Sequence, residues 1–234
     1  MGEKSPISDS GIAGVARVNR LILHNYFRSS TSVRVRVALN LKGLDYEYVP
    51  YALLPNEHKS ERFLALNPQG LVPALEIDDQ AVLTQSIAII EYLDEVHSEP
   101  PLMPKDALGR ARVRSLSQII GCDIHPVNNL RVLRYLSENL NADADAKTAW
   151  FTHWAEAGFV ALETRLSREP ETGTYCHGDT PTLADICLYA QVLNNKRFAV
   201  DPAPYPKIMD IFMACDALPE FQDARPENQA DAVK

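Results

Sequence analysis

The chain has 234 residues, 46% of them hydrophobic and 8% aromatic, so it can bury one large core or two small ones and reads as an ordinary globular protein. A formal net charge of -8 argues against nucleic acid as the main partner, because phosphate binding needs clustered Lys and Arg, whereas a small anion needs only local positive charge. No apolar run approaches the roughly 18 residues that span a bilayer, and the first twenty residues lack a signal peptide's apolar core; no membrane partner and a cytoplasmic location are expected.

Residues 1–19, rich in Gly and Ser, read as a flexible leader. Leu21-Ile22-Leu23 predicts a strand, followed by the hydroxyl-rich stretch Arg28-Ser29-Ser30-Thr31-Ser32. The alternation Val33 to Val37 is by itself a strand pattern. The Ser/Thr cluster as N-cap, the i, i+4 series Val33, Val37, Leu41 and the stop at Gly43 favour a helix ending near Lys42. Helical geometry puts the hydroxyls at a helix N-terminus, where free N–H groups and the positive dipole end suit a thiolate or a carboxylate.

Tyr46–Val49 reads as a strand, residues 55–58 as a polar loop, and Ser60–Leu66 as a short helix stopped by Asn67-Pro68. Leu71–Ile77 is strand-like, Asp78-Asp79 a turn, and Ala81–Leu83 a further strand. Ser86 is placed to cap a helix over Ile87–Val96, whose Ile89, Ile90, Leu93 and Val96 share a face. Residues 20–97 thus form a β-α-β-α-β-β-α unit, and the proline-rich residues 98–105 read as a linker.

From residue 106 to 225 the pattern is helical throughout, with 226–234 as a tail. Asp106–Ile124 and Val127–Leu140 are two helices or one bent at Pro126; Thr148–Arg168 is a further long helix. After a turn-rich loop at 173–179, Thr182 and Asp185 make a capping-box pair for a helix to about Asn195, and a last helix spans Tyr205–Cys215. Cys122, Cys176, Cys187 and Cys215 form no C-x-x-C pair and no zinc spacing, so reduced thiols and no metal are expected. Trp150 and Trp154, four apart on a helix, read as core or interface residues, and His24, His97, His153 and His177 have no catalytic spacing.

Residues 28–43, 67–73 and 85–93, followed in order by 178–188, 197–201 and 219–221, are similar to the zeta-class glutathione transferases. The resemblance implies a thioredoxin-like α/β N-terminal domain, an all-α C-terminal domain, glutathione as cofactor and a homodimer. It implies that Val72, before a cis bond to Pro73, offers its backbone to the cysteinyl part of glutathione. Gln85 and Ser86 would grip the γ-glutamyl end, His58 would lie near the glycyl end, and His125 and Asn129 would reach the cofactor from the helical domain. Ser29, Ser30 and Thr31 occupy the family's Ser-Ser-Cys position, with threonine where the cysteine stands. Ser29 is the favoured donor to the thiolate, which lowers a thiol pKa from near 8.5, with Ser30 and Thr31 as neighbours or substitutes.

The resemblance implies that Arg28 and Arg197 face the substrate, a dicarboxylate or diketo acid suited to a planar guanidinium, and that Arg131 lies in the corresponding part of the helical domain as a further substrate-binding candidate. Without the resemblance each arginine is a solvated charge, His125 a packed residue, Pro73 an edge-strand proline and Ser86 a plain cap. The activity implied is glutathione-dependent cis-trans isomerisation of maleylacetoacetate or maleylpyruvate in aromatic-compound breakdown. The same site also suits glutathione transfer to, or dehalogenation of, small α-halo acids. A non-catalytic binding protein of this fold would predict erosion of the hydroxyl cluster or of Gln85-Ser86, and both are intact.

Overall fold

The structure is a computed structural model that describes residues 20–78 and 81–232. The expected leader at 1–19 and Asp79 of the expected turn lie outside the described residues.

Strand β1 (Leu21–Asn25) is buried along its whole length. Helix α1 (Ser30–Leu41) follows and crosses over to β2 (Glu47–Pro50), which pairs parallel to β1. A 3₁₀ turn (Glu57–Lys59) and α2 (Glu61–Leu66) lead to β3 (Ala74–Ile77) and β4 (Ala81–Thr84), both antiparallel additions, giving the order β2-β1-β3-β4. Alternation along the strands divides the two faces. Leu21, Leu23, Leu75 and Ile77 enter the main core, while Ala74 joins Tyr51 and Phe63 in a smaller cluster on the α2 side. Helix α3 (Ser86–Val96) packs against α1 on the main-core face.

The period-two pattern at Val33–Val37 is therefore helical, as the capping signals indicate. Its arginines are buried because α1 is enclosed on several sides, by α3 and by the helical half of the chain. Arg36 donates to Asn25 Oδ1 (2.8 Å), Phe27 O (2.8 Å) and Ala224 O (3.0 Å), so its charge is solvated by the protein's own oxygens.

The helical half comprises α4 (Ala107–Gln118), a π-helical continuation (Ile119–Ile124), α5 (His125–Asn128), α6 (Leu130–Leu140), α7 (Ala144–Arg168), α8 (Leu183–Arg197), α9 (Pro206–Asp216) and α10 (Pro219–Asp223). Its centre is α8, buried on nearly every side and started by the expected capping box of Thr182 and Asp185.

Several elements differ from what the sequence predicts, most by one or two residues at an end and the following by more or in kind. The third strand begins at Ala74, after a cis Val72–Pro73 bond, and Leu71–Pro73 are its approach. Ser86 is the first residue of α3; the cap position belongs to Gln85, at φ +69° and with no side-chain cap bond. Pro126 sits in the first turn of α5, where its missing N–H costs nothing, and the break falls instead at Asn129, whose side chain caps α6 by accepting from Val132 N at 3.2 Å. Helix α7 begins at Ala144, four residues before the expected start, capped by Asp143, which accepts from Ala146 N at 2.8 Å. Helix α10 is absent from the sequence reading. Among the described residues, no helix is long and apolar enough to cross a membrane.

Candidate active site

Two helix N-termini open into one cleft of about 500 Å³ between the sheet half and the helical half. The first belongs to α1. Its cap, Ser29, accepts from Ser32 N at 3.3 Å, and Ser29 Oγ lies 2.8 Å from Thr31 Oγ1. Thr31 donates its only proton to the Val72 carbonyl at 3.0 Å, so the proton between the two hydroxyls is Ser29's. Ser30 Oγ forms no hydrogen bond among the described residues, although the residue is buried. The chain order hydroxyl, hydroxyl, carbonyl thus ties the start of α1 to the segment before β3.

The second N-terminus is that of α3. Gln85 is forced into the left-handed half of φ space, and its Nε2 donates to Gln69 Oε1 at 2.8 Å. Ser86 Oγ accepts from Arg34 Nη1 at 3.4 Å; Arg34 Nε and Nη2 are buried without a partner among the described residues. A positive charge therefore lies beneath this helix start, adding to its dipole.

The far wall is built by α5, α6 and α8. His125 is half-buried, and its enclosed Nδ1 has no partner among the described residues. Desolvation, then the charges of Arg34 and Arg131, push its pKa down to about 3, so the ring is neutral. Burial likewise lowers His58, helped by Lys59 and Arg134, and its Nδ1 also lacks a partner among the described residues. Asn129 spends its side chain on structure, capping α6 and donating to Pro126 O at 3.0 Å. Arg28 lies over the rings of Phe27 (5.2 Å) and Tyr26 (5.9 Å) and donates to the Tyr26 hydroxyl at 3.1 Å. Arg197 sits over Phe198 at 5.2 Å, and burial followed by the charge of Arg28 lowers its proton affinity.

The cleft thus brings together Arg28, Ser29, Ser30, Thr31, His58, Val72, Pro73, Gln85, Ser86, His125, Asn129, Arg131 and Arg197, every site residue expected from the sequence. Its charged lining is unbalanced: Arg28, Lys59, Arg131, Arg134 and Arg197 against Glu138 alone among the described residues. None of Arg28, Arg131 and Arg197 has a carboxylate partner among the described residues. A smaller cavity of about 200 Å³ adjoins the cleft, sharing Arg28, Ser30, Asn194 and Arg197 as walls and closed by Pro226 and Glu227.

Among the lining residues that the sequence did not single out are Gln69, Arg134 and Asn194. Gln69 sits inside the noticed 67–73 stretch, and its contact with Gln85 is the signal for it. Arg134 reaches across the mouth to Asn56 Oδ1 (2.6 Å), Leu54 O (3.1 Å) and Leu53 O (3.2 Å); its i+3 spacing from Arg131 marks it as a cleft residue. Asn194 precedes Arg197 by three residues on the same helix face.

A thioredoxin-like sheet, a helical second half and two hydroxyl-bearing helix N-termini on one cleft define a glutathione S-transferase. Residues 28–96 match that family's N-terminal domain. The chain is 51% identical to a maleylpyruvate isomerase from Ralstonia sp over 211 residues, 90% of this chain and 99% of the relative. Its fold superposes, with a TM-score of 0.89 and 50% identity, on the holo structure of a maleylpyruvate isomerase described as a bacterial zeta-class glutathione S-transferase, covering 91% of this chain and 100% of that one. A maleylacetoacetate isomerase from Methylobacterium extorquens with malonate and GSH bound also superposes at 0.89, with 39% identity, covering 91% of this chain and 100% of that one. The chain belongs to the zeta class of glutathione S-transferases.

Proposed function

We propose that the protein is a glutathione-dependent cis-trans isomerase of maleylacetoacetate or maleylpyruvate, a step in aromatic-compound breakdown. The observation that carries the substrate class is the charge of the cleft, in which Arg28, Lys59, Arg131, Arg134 and Arg197 face Glu138 alone among the described residues, and Arg28 and Arg197 share a wall with no ion-pair partner among those residues. A carboxylate bound there relieves their repulsion and is held bidentately. The malonate-bound relative supports a dicarboxylate site.

The residues present fit glutathione. Its γ-glutamyl carboxylate suits Ser86 and the α3 N-terminus above Arg34, whose Nε and Nη2 have no partner among the described residues, and its amide groups suit the Val72 backbone. His58 and His125 line the cleft where its remaining polar groups would lie. When bound, glutathione supplies a thiol that adds to the cis double bond and leaves after rotation, so none is consumed.

The protein's part is electrostatic. Ser29's proton, which can turn from Thr31 Oγ1 to a bound sulfur, and the α1 dipole favour the ionised thiol, Thr31 and Val72 fix Ser29's position, and the arginines hold the substrate and the negative charge that develops on its oxygens. Four free cysteines accord with a cytoplasmic enzyme. The homodimer rests on family resemblance and is read by light scattering.

The test is glutathione-dependent loss of maleylacetone or maleylpyruvate absorbance, monitored alongside glutathione binding by calorimetry. Turnover of either substrate is expected. Tight glutathione binding with no isomerisation of either overturns the assignment.

A further inference from the structure

The segment after α10 comes back from the helical half to the corner between β1 and α1, and it touches the site twice. Pro226 and Glu227 close the small cavity that holds Arg28 and Arg197. Asp231 then places its carboxylate against the corner itself: one oxygen accepts from Phe27 N at 3.2 Å, and the other accepts from the Tyr48 hydroxyl.

Phe27 occupies a particular place. It precedes Arg28, its ring lies 5.2 Å under the Arg28 guanidinium, and it is two residues from Ser29. Its carbonyl is held by Arg36, which also holds Ala224 O, and its N–H is held by Asp231. Both polar groups of this peptide are thus fixed by the C-terminal segment or by an arginine bound to it. Phe27 is buried, so loss of Asp231 leaves a donor without an acceptor and frees the corner to shift.

We propose that Asp231 is a positioning residue for the substrate half of the site. Through Phe27 it sets the height of the Arg28 guanidinium beside Arg197, and it leaves the glutathione half unaffected. The Val72, Gln85 and Ser86 positions are carried by other elements, which Asp231 does not contact. The inference rests on the isomerase reading for its kinetic arm and stands apart from it in its exchange arm.

The test compares wild type, Asp231→Ala, Asp231→Asn and a chain truncated after Gln229. An asparagine keeps an acceptor for Phe27 N–H and a donor for the Tyr48 oxygen, so it is the conservative rescue. In Asp231→Ala and the truncated chain, the KM for the maleyl substrate is expected to rise by about 5- to 20-fold. The glutathione Kd stays within about twofold of wild type, and Asp231→Asn stays within about threefold in both. The Phe27 amide is expected to exchange with solvent at least about tenfold faster in Asp231→Ala. Failure of wild type to isomerise overturns the function above; the exchange measurement still judges the tether. Wild-type KM in all variants, unchanged Phe27 exchange, or equal losses in glutathione and substrate binding without rescue by asparagine each overturn the proposal.

Discussion

At the scale of single residues, the division of labour at the start of α1 follows from counting protons. Ser29 and Thr31 have two between them, and Thr31's is committed to Val72. Ser29→Ala removes the other, which can swing from Thr31 to the thiolate, and a hydrogen bond to a charged partner contributes about 1.5–3 kcal/mol, so kcat is expected to fall about 10- to 100-fold. The same change costs about 1 kcal/mol of stability through the lost cap. Thr31→Val, which frees the Val72 carbonyl but keeps Ser29's proton, is expected to lower kcat by less than about tenfold. Steady-state kinetics with thermal melts separates the two contributions, and a fully active Ser29→Ala moves the donor's role to Ser30 or Thr31. The hydroxyl cluster was legible in the sequence because caps are local. The proton assignment was not, because it depends on a carbonyl 41 residues away.

At the scale of elements, α6 stands apart. None of its residues is buried, and its contacts with α5 and α7 are sparse. Arg134 ties it to the loop at Leu53–Asn56 on the other side of the cleft mouth. Arg134→Ala is expected to speed amide exchange across α6 by about tenfold or more, while the global melting temperature moves by only about 2 °C or less. Hydrogen exchange read by mass spectrometry distinguishes this local loosening from general destabilisation; unchanged α6 exchange refutes the tether. Elements with local signals, such as α1 with its Ser/Thr cap and α8 with its Thr182–Asp185 box, were readable from sequence. The π-helical turn at Ile119–Ile124 was not. It forms where Gly158 of α7 leaves room for the Ile124 side chain, and that space belongs to a distant helix. The start of α6 was missed because His125-Pro126 looked like the break, when proline is well suited to a first turn and Asn129 was the cap.

At the scale of the whole molecule, the order of sheet and helices was legible because hydrophobic period and turn residues are written along the chain, whereas the return of Asp231 to Phe27 spans 204 residues and has no local mark. Histidines desolvated by the fold contribute to the response to acid. His125 is held at about pKa 3 by burial, below its unfolded value near 6.5. The unfolded chain therefore takes up a proton that the folded chain refuses, and stability falls as pH drops below about 6.5. Between pH 7 and pH 5 this one group costs about 2 kcal/mol. His24 and His58, also lowered by burial, act in the same direction. Urea unfolding at both pH values is expected to show a shallower loss for His125→Gln than for wild type, and equal losses would refute the buried neutral ring. Gln85, with its φ of +69°, has a different bearing on the fate of the molecule. A non-glycine residue there carries about 1–3 kcal/mol of strain within a total stability of about 5–15 kcal/mol. A laboratory search for heat-resistant variants is therefore expected to find Gln85→Gly among its winners, with a higher melting point and a weakened hold on glutathione. Selection that sees heat alone would erode the cofactor site at this residue, and only selection that also sees turnover would retain the glutamine.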